Sequence, residues 1–240
     1  MRSRDTVLRH LLAELRAVRP GHRALIALDG VDGAGKTMLA HELVNLAKTA
    51  ADVPGHDSDR RVTAISIDGF HHSRAIRYAQ GTGPDTFYRR SYDYGAFVDS
   101  VVEPFRRGDS VVPAVWDVDA DRPIAPVPRN QPNDCVLLID GIFLHRPELV
   151  DLWDASVWVD VPFEVSVPRG NERFAGAFDA DPEAASNLRY VGGQRLYFSE
   201  ASPWEKATWV FDNRDLDRPN LRRSTTDSSG SSSQAASTTR

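Results

Sequence analysis

The stretch Ala-Leu-Asp-Gly-Val-Asp-Gly-Ala-Gly-Lys-Thr, Ala27 to Thr37, limits what this chain can fold into more than any other. Gly30 is followed by four residues and then by Gly35, Lys36 and Thr37. The apolar run "ALIAL" from Ala24 predicts a buried strand just before it, and the spacing from Lys36 to Ala51 predicts a helix just after it. A glycine-rich turn between a strand and a helix lets successive backbone N–H groups wrap phosphate oxygens at distances a Cβ would forbid. The helix N-terminus adds partial positive charge. On this reading the ATP-contacting residues are Gly30, Asp32, Gly33, Ala34, Gly35, Lys36, Thr37 and Met38. Lys36 reaches the β- and γ-phosphates and the Thr37 hydroxyl ligates magnesium. The bland alternative is a plain strand-to-helix turn.

Four further apolar, β-branched runs predict strands: "VTAISI" from Val62, "VLLI" from Val136, "SVWVDV" from Ser156 and "TWVF" from Thr208. Helical patterns over Tyr94 to Arg107 and Leu188 to Ser202 separate most of them. The alternation predicts an α/β fold: an open parallel five-stranded sheet with helices on both faces and a lid. Apolar residues from Val7 to Val18 at helical spacing, stopped by Pro20 and Gly21, predict a peripheral helix over residues 1–22. The main domain is then 23–219. "SVVPAVWDV" from Ser110 reads as an extended arm outside the sheet, and polar Asp52 to Arg60 as a surface loop. Residues 220–240, ending in "STTDSSGSSSQAASTTR", read as a disordered tail.

A net charge of -5 leaves no basic surplus for a nucleic-acid partner. The single cysteine, Cys135, allows no intramolecular disulfide and sits in an apolar run, as a buried structural thiol would. No run approaches the ~18 apolar residues of a membrane span. These features suit a soluble cytoplasmic protein, and a homo-oligomer is compatible with them.

Other loops must supply the chemistry. Asp68, in "ISIDGFHHSR", falls just past the second strand, where ligands bind in open α/β sheets. A carboxylate there can take a proton from an attacking hydroxyl; the bland reading is a cap. Asp140 ends the apolar strand "LLID", an arrangement that serves a phosphate-bound magnesium ion, or else a simple Asp-Gly turn. Arg169 and Arg173 lie one helical turn apart in the lid, about 169–187, positioned to cover phosphates; the alternative is pairing with Glu172 and Asp179. Tyr92, Tyr94 and Trp116 can wall a flat substrate or simply belong to the core.

The order "DGAGKT", "IDGFHH", "SYDYGAF", "WDVDADRP", "LLIDGIF", "LYFSEASP" and "TWVFDN" resembles the uridine kinase-like group of P-loop kinases, which includes phosphoribulokinase and bacterial pantothenate kinase. The similarity spans about Arg23 to Pro219 and is closest to actinobacterial proteins labelled uridine kinase. The resemblance implies that Asp68 is the catalytic aspartate and that Asp93 holds ribose hydroxyls. It implies Phe70 and His71 beside the substrate, Trp116 and Asp117 at a base-contacting Tyr-Asp pair, and Gln194 on the substrate side. Arg122 falls one place off the family's arginine, and Asp121 stands where uridine kinases carry a histidine that reads the pyrimidine. Asp140 replaces a glutamate, Phe174 replaces the lid's aspartate, and Met38 replaces a hydroxyl residue.

The expected activity is therefore ATP- and magnesium-dependent phosphorylation of a small-molecule alcohol, foremost the 5′-hydroxyl of uridine or cytidine. Sugars, sugar phosphates, pantothenate-like alcohols and specialised metabolites remain alternative acceptors. A regulatory NTPase or a non-catalytic nucleotide-binding protein is the alternative of another class. No Asn-Lys-x-Asp guanine-reading segment is present.

Overall fold

The computed structural model describes residues 3–51, 60–172 and 176–224. Arg173, the loop at 52–59 and the tail at 225–240 lie outside the described residues. The helices are α1 (Arg4–Arg16), α2 (Lys36–Ala51), α3 (Arg74–Tyr78), α4 (Pro84–Arg90), α5 (Tyr94–Phe97), α6 (Glu103–Arg107), α7 (Phe163–Asn171), α8 (Leu188–Ala201) and α9 (Pro203–Lys206). The strands are β1 (Arg23–Gly30), β2 (Arg61–Ser66), β3 (Trp116–Asp117), β4 (Arg122–Pro123), β5 (Cys135–Gly141), β6 (Ala155–Asp160), β7 (Trp209–Asp212) and β8 (Asn220–Arg223).

Six strands form one sheet in the order β2-β5-β1-β6-β7-β8, with helices on both faces. The first five run parallel, in the five segments whose apolar runs predicted strands. Every residue of β5 is buried, as a strand covered on both faces requires. Cys135 opens that strand, fully buried, with its thiol pushed up by burial.

The sixth strand corrects the expected tail. Asn220–Arg223 pairs antiparallel with β7 at the sheet edge. Only Leu221 of the four is even half-buried, so the strand carries no apolar pattern; its order comes from main-chain bonds, which composition does not encode. Arg60 corrects the expected loop: it is buried, and its guanidinium donates to the Arg16, Val18, Arg19 and His22 carbonyls at the end of α1. With Leu11 and Leu15 fully buried in the common core, α1 is part of the main body rather than a separate segment.

The helix predicted over 94–107 is interrupted by a wider turn over Val98–Val102. Pro104 has no N–H to offer the Ser100 carbonyl four residues back, and that carbonyl accepts instead from the Val112 amide at 2.9 Å. The freed group thus ties down the arm after Gly108, which continues into the small β3–β4 hairpin outside the main sheet.

Candidate active site

The glycine-rich turn joins β1 to α2 at the centre of the sheet. Gly33 has φ +72°, and a Cβ there would lie 2.0 Å from the Ser166 carbonyl of α7. Gly35 has φ +88° and would meet the Asn213 amide at 2.9 Å. Both positions therefore need glycine for conformation and for space. The Lys36 ammonium donates to the Val31 carbonyl at 2.8 Å, so the charge lies over its own loop. The Thr37 hydroxyl donates to Asp140 Oδ2 at 2.7 Å across the gap between α2 and β5. Burial raises the Asp140 carboxyl above its usual value, while the Thr37 bond and the Lys36 charge pull it down.

Beneath this loop lies a polar assembly that sequence reasoning missed. Asp29, fully buried, accepts the Gly30 amide on Oδ1 at 2.8 Å. Its Oδ2 takes the His145 amide at 3.1 Å, the His145 ring Nδ1 at 2.7 Å and the Tyr197 hydroxyl. His145 Nε2 bonds Ser156 Oγ at 2.8 Å. An Asp-His-Ser series suggests a hydrolase, but His145 has no exposed surface and Ser156 only 5%, so no substrate reaches it. The assembly instead satisfies a buried carboxylate that fixes the start of the loop. The available signal was a carboxylate inside an otherwise apolar strand, which always demands partners.

Gln194, expected on the substrate side, is turned to the loop. It is buried, and its Oε1 accepts the Asp32 amide at 2.8 Å. Asn213 does similar work from the loop after β7, donating to the Ala34 carbonyl at 2.7 Å.

Asp68 sits in a single 3-10 turn, Ile67–Phe70, that follows β2. Ile67 and Phe70 are three apart, so the turn places both inward and leaves Asp68 outward, its side chain 61% exposed. Phe70, expected beside the substrate, is packed in the core, edge-on to Phe97 at 5.4 Å. Tyr92 donates its hydroxyl to Asp68 Oδ1 at 2.9 Å. The His71 ring rests on Tyr92, centroids 4.4 Å apart, and its Nδ1 lies 2.9 Å from the Asp68 carbonyl, which can only accept. Desolvation lowers the His71 pKa, which favours a neutral ring with its proton on Nδ1.

The remaining candidate substrate-side residues lie at the start of α5 and on the β3–β4 hairpin. Asp93 caps α5, accepting the Ala96 amide on Oδ1 at 2.9 Å, and its Oδ2 lies 3.9 Å from His72. Tyr94 has its hydroxyl buried, with the Arg146 guanidinium 4.9 Å from its ring. Trp116, Asp117 and Arg122 lie on the β3–β4 hairpin, held beside the Asp68 turn by the Val115 amide on the Gly69 carbonyl at 2.9 Å. Asp117 Oδ1 closes the hairpin on the Asp119 and Ala120 amides, and Asp121 accepts the Arg74 amide at 2.7 Å. Arg122 is exposed.

Arg169 pairs with neither Glu172 nor Asp179. Its guanidinium donates to the Asn213 and Arg214 carbonyls at 3.0 and 2.6 Å. Among the described residues of the expected lid, the Asn187 side-chain amide donates to the Asp179 and Asp181 carbonyls.

Lys36, Thr37, Asp68, Tyr92, Asp140 and Arg169 line one cleft of about 500 Å³. Among the described residues no group of three or more His, Cys, Asp or Glu side chains could hold a metal ion. The Thr37 and Asp140 oxygens do fit magnesium, which takes one or two protein oxygens and completes its shell with water and phosphate. Among the described residues no helix is long and apolar enough to cross a membrane.

No protein-family model matches the chain. Solved structures do match it in fold. A structure described as a possible uridine kinase from Bacillus stearothermophilus aligns at a TM-score of 0.65 and 19% identity, over 87% of this chain and 98% of its own. A candidate fructose transport system kinase from Silicibacter aligns at 0.64 and 20%, over 84% and 96%. Phosphoribulokinase from Rhodobacter spheroides aligns at 0.51 and 12%, over 80% and 70%. The chain therefore has the α/β fold of these P-loop kinases.

Proposed function

We propose that this protein is an ATP- and magnesium-dependent kinase of the uridine kinase-like group, acting on a hydroxyl of a small molecule. The observation that carries the proposal is the convergence of Lys36, the Thr37–Asp140 pair and Asp68 on one cleft. Phosphoryl transfer asks a protein for positioning and charge neutralisation more than for covalent chemistry. The turn's amides and Lys36 bind the phosphates of ATP. Thr37 and Asp140 would hold magnesium, which neutralises charge on the phosphate oxygens. Asp68 takes the proton of the acceptor hydroxyl as its oxygen bonds to the γ-phosphorus and ADP leaves. Tyr92, donating to one Asp68 oxygen, leaves the other for that proton. His71, neutral, adds no competing charge.

The leading acceptor is a nucleoside such as uridine or cytidine. A second reading has an observation in its favour: Asp117 and Asp121, at the positions expected to read a base, spend carboxylate oxygens on backbone amides. A sugar, sugar phosphate or other alcohol needs no such reader. The lone buried cysteine suits the cytoplasm. The test is ADP release with ATP and magnesium across nucleosides, sugars, sugar phosphates and pantothenate, with a no-acceptor control. Release only with uridine or cytidine supports the leading reading. Release only with another acceptor supports the second, and acceptor-independent release or none rejects both.

A further inference from the structure

Residue Arg4 opens α1, a helix that the sequence places outside the catalytic body. Its guanidinium nevertheless lines the same cleft as Lys36 and Asp68. Nε and Nη2 donate to the Glu42 carboxylate on α2 at 3.1 and 2.6 Å. Nη1 donates to Asn213 Oδ1 at 3.1 Å and to the Leu216 carbonyl at 2.9 Å. One planar cation thus joins α1, the helix that follows the phosphate loop, and the loop after β7. Arg169 grips that last loop from α7, through the Asn213 and Arg214 carbonyls.

The sheet order gives this clasp its meaning. The phosphate loop follows β1; Asp68 follows β2, on one side of β1, and the clasped loop follows β7, on the other. With phosphates on the glycine-rich turn and the acceptor beside Asp68, the nucleoside of ATP extends toward the β7 side. There Leu216, an exposed apolar side chain, and Asp217 line the cleft with Arg4.

We propose that Arg4 is a positioning residue for the nucleoside end of the donor site, so that α1 forms part of the nucleotide-binding site. The inference rests on the kinase reading above. Arginine suits the task because its fork spans a carboxylate, a side-chain amide oxygen and a backbone carbonyl at once, which a lysine cannot do. The loop it orders is the wall against which a nucleoside would pack. A loop that must be ordered on binding weakens affinity without touching the chemical step.

The experiment measures affinity of the full chain for a fluorescent mant-ATP and, by competition, for inorganic tripolyphosphate, which occupies only the phosphate loop. Arg4→Ala should weaken mant-ATP binding about 10-fold, the scale of a lost hydrogen-bonded charge, and leave tripolyphosphate within about 2-fold. Arg4→Lys should fall between. Arg9→Ala on the same helix, which removes an exposed pair with Asp5, should change neither. With an acceptor identified, the KM for ATP should rise while kcat and the acceptor KM hold. If Arg4→Ala does not fold, the comparison is made on Arg4→Lys. Equal weakening of both ligands would mean that Arg4 acts through Asn213 on the phosphate loop, and would overturn the assignment. Unchanged mant-ATP binding would overturn it too while leaving the kinase reading intact. A wild-type chain that binds neither ligand would overturn the kinase reading and this inference together.

Discussion

The phosphate-loop half of the cleft and the Asp68 half are built on different terms. Around the glycine-rich turn, polar neighbours are paired inward: Asp29 with Gly30, Gln194 with Asp32, and Asn213 with Ala34. Asp29, Gln194 and Asn213 are all buried, and the last two come from distant parts of the chain. Around Asp68 the carboxylates of the turn, the α5 cap and the hairpin are not buried: Asp68 is exposed, Asp93 and Asp117 accept amides of their own turns, and Asp121 accepts the Arg74 amide. A rigid, prebuilt half can hold one constant ligand, whereas a half made of turns and a short hairpin can be changed residue by residue. On the kinase proposal, this contrast explains why the sequence indicates the phosphate donor more sharply than the acceptor.

Breaking the first half should cost most. Lys36→Ala should lower turnover about 1,000-fold, on the scale of losing a buried charge-stabilising donor, with the thermal midpoint nearly unchanged. Turnover within tenfold of wild type in an acceptor-dependent assay would remove Lys36 from the phosphate site. His145→Ala tests the layer beneath. It strips a buried carboxylate of its ring partner and should cost about 3 kcal/mol of stability. Denaturant unfolding reads this directly, and a loss below about 1 kcal/mol would mean that Asp29 finds other partners.

The second half should answer in rate rather than stability. Asp68→Asn should lower turnover at least ~100-fold while mant-ATP affinity stays within about twofold. Normal turnover would move the base elsewhere. The smallest effect concerns His71. Because burial lowers its folded pKa, the folded chain binds that proton less readily than the unfolded one. The imidazole should titrate below 6.5 by NMR, and its contribution to stability should be lost as pH falls through that range. A midpoint above 6.5 would contradict the neutral ring beside Asp68.

How much of this was legible follows from how each feature is encoded. The five parallel strands were readable because double-sided burial demands continuous apolar runs, as in Cys135–Gly141. The helix Lys36–Ala51 and the glycine-rich turn were readable because periodicity and backbone conformation are local properties. The strand Asn220–Arg223 was not, since an edge strand of polar residues differs from a tail only in what pairs with it. The burial of Phe70 was not readable, because neighbouring residues of one short turn face opposite ways and spacing alone does not say which faces the core.

Local pattern in the chain was enough for the five parallel strands, the glycine-rich turn and the acidic residues at the ends of two strands. Tertiary structure alone decided what supports them. Arg4 reaches Asn213, Asp29 gathers His145 and Tyr197, and Gln194 turns to Asp32. Each of these is a polar pairing between residues remote in the chain. Such pairings leave no period or motif behind, because the requirement they meet, a partner for every buried charge and amide, exists only once the chain is folded.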